Sequence, residues 1–313
     1  MTLLKPLFQL RSPSGPKARL SVLIFHRVLP VPDPLFPDEM HAARFNELCG
    51  WLSTWFNVLR LDQAVQRMQE GTLPARAACI TFDDGYADNH HVAMPILKRH
   101  GLSATFFIAT GFLDGGRMWN DTITETVRAC QAEVLDASAL GLGSHPRGTV
   151  AEQQAAIAAL IGDIKYRPVA ERIRLTEDIA RLANVQLPQN LMMTSNEVKA
   201  MRHAGMQIGA HTVSHPILAT LTDEQAGAEI GNSKRFLENL LDEQITVFAY
   251  PNGKPGEDYS PQSVKVVRTL GFDAAVSTQW GASHKGDDLL QIKRFTPWDK
   301  TRLRFGLRLL KNL

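Results

Sequence analysis

Two short stretches carry side chains that could do chemistry together. Thr81-Phe82-Asp83-Asp84-Gly85 sets adjacent carboxylates directly after Ala77-Ala78-Cys79-Ile80, an apolar run that reads as a buried strand. Adjacent carboxylates at such a place repel each other and lose solvation, so they need a cation, a proton or an array of donors. The simplest division gives Asp84 a metal and leaves Asp83 to move a proton. An exposed Asp-Asp-Gly turn is the plain alternative. His211-Thr212-Val213-Ser214-His215 follows a second short apolar run and tips the reading toward the metal. In a helical turn this four-residue spacing puts both rings on one side. With Asp84 they make a two-histidine, one-carboxylate set with open positions, which suits a divalent Lewis acid that keeps a water. Zn2+ is the first choice, and Co2+, Ni2+, Mn2+ or Fe2+ would also fit. Asp83 is then the base toward water whose pKa the metal lowers to about 7. A leaving amine would need a proton, and His26 is the candidate acid, with a packed core histidine as its alternative.

These residues need a frame that gathers the ends of separate strands. The chain has 313 residues, enough for one barrel or two smaller domains. Strand-like runs fall at 20–25, 77–80, 104–109, 206–210, 245–250, 273–277 and 290–292. Helical patterns lie between most of them, at 41–55, 61–70, 86–100, 195–204, 223–241 and 260–270. Strands alternating with helices argue for parallel βα units. One domain, an incomplete α/β barrel spanning 20–300, is the economical expectation. Active sites of such barrels form at the C-terminal ends of the strands. His26, Asp83, Asp84, His211, His215, Pro251, Asn252 and Arg294 all fall at such ends.

Three segments stand outside the rhythm. Residues 1–19 read as a loosely ordered lead-in. Residues 111–190 read as an alanine-rich helical insertion over one end of the fold. Within it Trp119 could stack on a sugar ring or anchor a core. Residues 301–313 mix Leu303, Phe305, Leu307 and Leu310 with Arg304, Arg308 and Lys311. Such a basic amphipathic helix either lies on an anionic membrane face or packs on its own barrel.

The formal net charge of +2 leaves no nucleic-acid footprint. Cys49, Cys79 and Cys130 are too few and too widely spaced for a disulfide framework or a zinc knuckle, and Cys79 reads as a small core residue. Neither a signal peptide nor a membrane-spanning run is recognisable. The expected location is therefore the cytoplasm, with peripheral membrane contact left open and no obligate protein partner.

The two stretches resemble the first two motifs of the polysaccharide deacetylases, carbohydrate esterase family 4, with their NodB-like (β/α)7 barrel. The resemblance covers roughly Leu20 to Trp298 and is weakest across the insertion. It implies Asp83 as base and Asp84, His211 and His215 as metal ligands. Phe248-Ala249-Tyr250-Pro251-Asn252-Gly253 is similar to the third motif, implying that Tyr250, Pro251 and Asn252 shape the groove and that Asn252 supplies an oxyanion N–H. Two departures matter. Ala249 stands where the family usually has an arginine that orients the base, and Arg294 is the candidate replacement. No histidine follows Leu290, where the usual proton donor lies. Leu23-Ile24-Phe25-His26-Arg27 instead resembles the permuted arrangement of biofilm poly-N-acetylglucosamine deacetylases, implying His26 as acid.

Trp119-Asn120-Asp121 and Arg294 to Trp298 resemble deacetylases associated with exopolysaccharide or capsule synthesis. The implied substrate is an N-acetylated saccharide, free or lipid-linked. An amidase or deformylase acting on a small amide is a second reading. A non-catalytic carbohydrate-binding protein is a third, and the missing arginine is its support.

Overall fold

The computed structural model describes residues 4–313. Seven parallel strands form the frame: β1 (Arg19–Phe25), β2 (Ala77–Phe82), β3 (Thr105–Ile108), β4 (Gln207–Ala210), β5 (Val247–Ala249), β6 (Ala274–Trp280) and β7 (Ile292–Arg294). They pair in sequence order, with Leu20 opposite Ala77, Thr81 opposite Thr105, Phe106 opposite Ile208, Ala210 opposite Phe248, and Val247 opposite Ala274. The register slips between Ile292 and Arg294, where β7 meets β6. The last seam is narrow. Phe295 N–H donates to Val22 O (2.7 Å), and Ile24 N–H donates to Phe295 O (3.1 Å). A short antiparallel pairing of Arg19 with His284 covers the rest of the β1 edge. The frame is thus a nearly closed α/β barrel, as the alternation predicts.

The strands are apolar on both faces because helices cover the outside while the inside is also filled. Alternate side chains separate into two cores. Leu20, Val22, Cys79, Phe107, Val247 and Ile292 pack with Leu61, Val65 and Met68 of the helix Leu61–Glu70. That helix ends at Gly71, whose φ of 75° permits the left-handed cap. Leu23, Phe25, Ile80, Phe82, Phe106 and Phe248 face the surrounding helices. Phe82 stacks between Phe25 (5.2 Å) and Phe106 (4.7 Å). Full burial of each ring is worth roughly 1.5–3 kcal/mol. These rings pin the strand ends one residue before His26 and Asp83.

The segment expected to be a loosely ordered lead-in contains a helix, Leu4–Arg11. Phe8 is its anchor, buried against Trp55 and Phe56 at 5.7 and 4.7 Å. Pro6 sits in the first turn, where its missing N–H costs nothing. One buried ring in a short, proline-bearing stretch leaves no periodicity to read.

The insertion carries three helices, Trp119–Ala129, Val150–Ile164 and Val169–Leu182, and a two-stranded ribbon pairing Val134–Asp136 with Ser144–Pro146. The ribbon departs from the all-helical expectation. Its strands are three residues long and mostly exposed, so no alternation marks them. Ile123, Val127, Ile157, Leu160, Leu175 and Ile179 give the insertion its own core.

The C-terminal helix Arg302–Asn312 buries Phe305 and Leu309, with Phe305 against Trp55 and Phe295. Leu303 and Leu307 stay exposed. No described helix is long and apolar enough to cross a membrane.

Candidate active site

β2 delivers the two aspartates to different places. Asp83 N–H donates to Phe25 O (2.9 Å), extending the β1–β2 ladder by one step. Asp84 then turns out of the sheet with φ of 78°, and Gly85 follows at 92°. Left-handed backbone at a non-glycine residue is a strained conformation that the surroundings must hold. Here Ala109 N–H binds Asp84 O (3.1 Å) and Met193 N–H binds Gly85 O (2.9 Å).

Asp84 Oδ1 lies 3.4 Å from His211 Nε2 and 3.5 Å from His215 Nε2. His211 Nδ1 is 2.7 Å from Ala249 O, which accepts only an N–H. That bond fixes the tautomer, so the lone pair of His211 Nε2 points toward Asp84. Asp84 Oδ1 is buried and has no hydrogen-bond donor among the described residues. A buried carboxylate oxygen facing imidazole lone pairs is unsatisfied without a cation, so the donor set fits a divalent metal. Burial, partly offset by Asp84, pushes His215 down to about 4 and keeps that ring neutral at pH 7.

The two histidines do not sit on a helical turn, contrary to the spacing argument. They lie on a loop in which Thr212 and His215 both have positive φ, 66° and 51°. Glu229, from the helix Asp223–Leu241, holds this loop. Its Oε2 accepts from Val213 N and Ser214 N (2.9 Å each), and its Oε1 accepts from Ser214 Oγ (2.7 Å). Gly111 N–H donates to Val213 O (2.9 Å), and a Cβ on Gly111 would lie 2.7 Å from that oxygen. Sequence reasoning missed both residues, and nothing in their spacing points to the loop.

Asp83 is 3% exposed and is gripped by Arg294. Arg294 Nη1 donates to Oδ1 (2.7 Å) and Nη2 to Oδ2 (2.8 Å). Arg294 Nε donates to Ser277 O (2.8 Å), which fixes the plane of the guanidinium. Burial works against ionisation of Asp83, but the charge and hydrogen bonds of Arg294 hold the carboxyl below its ordinary value.

A cavity of about 280 Å³ joins His26, Asp83, Asp84, His211 and His215 with Trp119 and Asn252. His26 is exposed at its edge, and its own carbonyl accepts from Asn89 Nδ2 (2.9 Å). Asn252 is held at φ of 56°, and its N–H makes no hydrogen bond among the described residues. Trp119 opens an insertion helix, packs on the insertion core and carries the Arg172 guanidinium 4.9 Å over its ring.

Tyr250 and Pro251, expected to bind substrate, do not line this cavity. The Tyr250 ring is fully buried, stacked on Tyr259 at 3.8 Å, with its OH donating to Leu290 O (3.0 Å). It turns inward because its apolar ring and that acceptor both lie on the core side. Pro251 is buried in the turn that presents Asn252. Asp121, beside Tyr86 and Arg27, was not foreseen as a site residue. Burial, opposed by Arg27 and Tyr86, pushes its carboxyl up to about 7.

A family model described as polysaccharide deacetylase matches residues 70–138 and 175–275, leaving out part of the insertion. The chain belongs to the polysaccharide deacetylase family, and its barrel is the NodB-like one. It is 22% identical to YxkH of Bacillus subtilis (strain 168) over 279 residues, which is 88% of this chain and 71% of that one. In fold it resembles the deacetylase PplD of Streptococcus pyogenes, solved with acetate (TM-score 0.62, 18% identity, 94% of this chain and 98% of that one). It also resembles IcaB from Ammonifex degensii (TM-score 0.62, 17% identity, 96% and 99%).

Proposed function

We propose that this chain is a metal-dependent N-deacetylase acting on an N-acetylated sugar of a bacterial exopolysaccharide or its lipid-linked precursor. The observation that carries the reading is the convergence of Asp84 Oδ1, His211 Nε2 and His215 Nε2 beside an arginine-clamped Asp83. These three residues would hold the metal, with Zn2+ preferred over Co2+, Ni2+, Mn2+ or Fe2+. When bound, the cation supplies Lewis acidity toward the amide oxygen and lowers the pKa of water.

Asp83 takes a proton from the attacking water. Arg294 keeps its carboxylate ionised and aimed, since both oxygens are fixed by the guanidinium fork. The water oxygen bonds to the amide carbon, and Asn252 N–H donates to the oxygen that becomes anionic. His26 gives its proton to the departing nitrogen. The C–N bond breaks, leaving acetate and a free amine.

The binding-only alternative rested on the missing arginine of the third motif. Arg294 now stands at the base aspartate from a different strand. The test is release of acetate from N-acetylglucosamine oligomers and from a lipid-linked N-acetyl sugar, with chelator and with metal restored. Release that chelator stops and Zn2+ or Co2+ revives supports the proposal. Protein that binds metal stoichiometrically yet releases no acetate from either substrate overturns it.

A further inference from the structure

The insertion brings a second set of charges to the cavity, and the reaction does not use them. Arg172, in the helix Val169–Leu182, and the half-buried Lys165 both line the cavity that holds Asp84. Arg172 is 3% exposed. Its Nε has no hydrogen-bond partner, and among the described residues the side chain makes no ion pair. The carboxylate whose field reaches it is Glu229, whose oxygens are already taken by Val213 N, Ser214 N and Ser214 Oγ. The Trp119 ring lies against its guanidinium. A guanidinium remains charged at any physiological pH, so an unpaired buried one is costly. Lys165 likewise makes no ion pair among the described residues.

The same two residues, with Ile217, also line a second cavity of about 610 Å³. This one lies between the insertion and the beginning of the helix Asp223–Leu241. Val169, Val213, Pro216 and Leu221 give it an apolar wall. The cations therefore stand where the two cavities adjoin.

We propose that the substrate bears a negatively charged substituent, a phosphate or a carboxylate, that binds Arg172 and Lys165 while the acetamido group lies at Asp83 and Asp84. The inference rests on the deacetylase reading and adds the substrate class to it. Arg172 supplies a planar donor fork matched to either oxyanion, and Lys165 adds a mobile point charge. The remainder of the substrate runs into the second cavity.

The test compares four probes: N-acetylglucosamine, its 1-phosphate, its prenyl diphosphate with a short chain, and an N-acetylhexosaminuronic acid. Acetate release and calorimetric binding are measured on metal-loaded wild type and on Arg172→Gln, Arg172→Lys and Lys165→Gln. We expect at least one anionic probe to exceed the neutral sugar by tenfold or more in kcat/KM. Arg172→Gln should raise KM for that probe about tenfold, the typical loss of one charge-assisted hydrogen bond, with the neutral sugar within about threefold. Arg172→Lys should restore part of it. Phosphate or uronate preference identifies the source of the charge. Equal turnover of neutral and anionic probes overturns the inference, as does an equal loss on all probes in Arg172→Gln, which marks a structural role. If Arg172→Gln does not fold, Lys165→Gln carries the same comparison. No acetate from any probe, with anionic probes still bound tenfold more tightly than the neutral one, sinks the deacetylase reading and leaves the anion site standing.

Discussion

Arg294 and Asp83 lie 211 residues apart in sequence and are joined by two hydrogen bonds of 2.7 and 2.8 Å, with both side chains almost fully buried. The pair ties the last barrel strand to the second across the seam at β1. Removing one partner leaves the other as an uncompensated buried charge. Arg294→Ala should therefore lower stability by about 3–5 kcal/mol, whereas removing both partners together should cost less than the sum. Urea denaturation of the two single variants and the double variant measures this. Additive losses would show that the two residues do not interact.

Glu229 touches neither His211 nor His215, yet it accepts three hydrogen bonds from the loop between them. Glu229→Ala should weaken metal affinity by about 10–100-fold, the usual effect of losing an outer support. Competitive titration with a chromophoric chelator reads the affinity directly. Unchanged affinity in a folded variant would mean that the loop holds its own shape.

The buried carboxyl of Asp121 gives a pH signature of definite sign. Its value in the folded protein is pushed up to about 7, above the 3.8 of an unperturbed side chain. The folded state therefore holds a proton that the unfolded state has released. Stability from this group is complete below about pH 4 and is lost as pH rises toward 7, amounting to on the order of 3–4 kcal/mol. Asp121→Asn should flatten that decline. Denaturation midpoints of wild type and variant from pH 4 to 8 would reveal it, and parallel curves would contradict the assignment.

Gly111 is another point of tight fit. A Cβ there would meet Val213 O at 2.7 Å, backbone that cannot swing away. Gly111→Ala should destabilise by roughly 1–3 kcal/mol, as overpacking does, and should loosen metal binding through the same loop. Equal stability and metal affinity in the variant would show that the loop has room.

The barrel was legible because its strands are short apolar runs ended by turn chemistry, a local signal. Asp83, Asp84, His211 and His215 were legible for the same reason: each lies within a few residues of such a run. Arg294 was legible as a strand-end residue, but only the resemblance, through the vacancy at Ala249, linked it to Asp83, and its bond to Asp83 spans most of the chain. The supports were hidden. Glu229 and Gly111 act through backbone groups of a distant loop, and no residue pattern records that. The helical spacing of His211 and His215 suggested the right convergence through the wrong local structure. Tyr250 lies away from the cavity because an aromatic residue at a strand end can turn toward the site or toward the core. Here stacking on Tyr259 decides it. The helix at Leu4–Arg11 depends on one buried ring, Phe8, whose partners Trp55 and Phe56 lie far along the chain.

The central claim is that Asp84, His211 and His215 hold the metal while Asp83 moves the proton. Asp83→Asn tests it most directly, with metal content and acetate release measured on one preparation. The account predicts one equivalent of metal, as in wild type, with turnover lowered by about 10²–10⁴, the usual contribution of a general base. Turnover at the wild-type rate would contradict the role given to Asp83, and loss of the metal would show that Asp83 is itself a ligand.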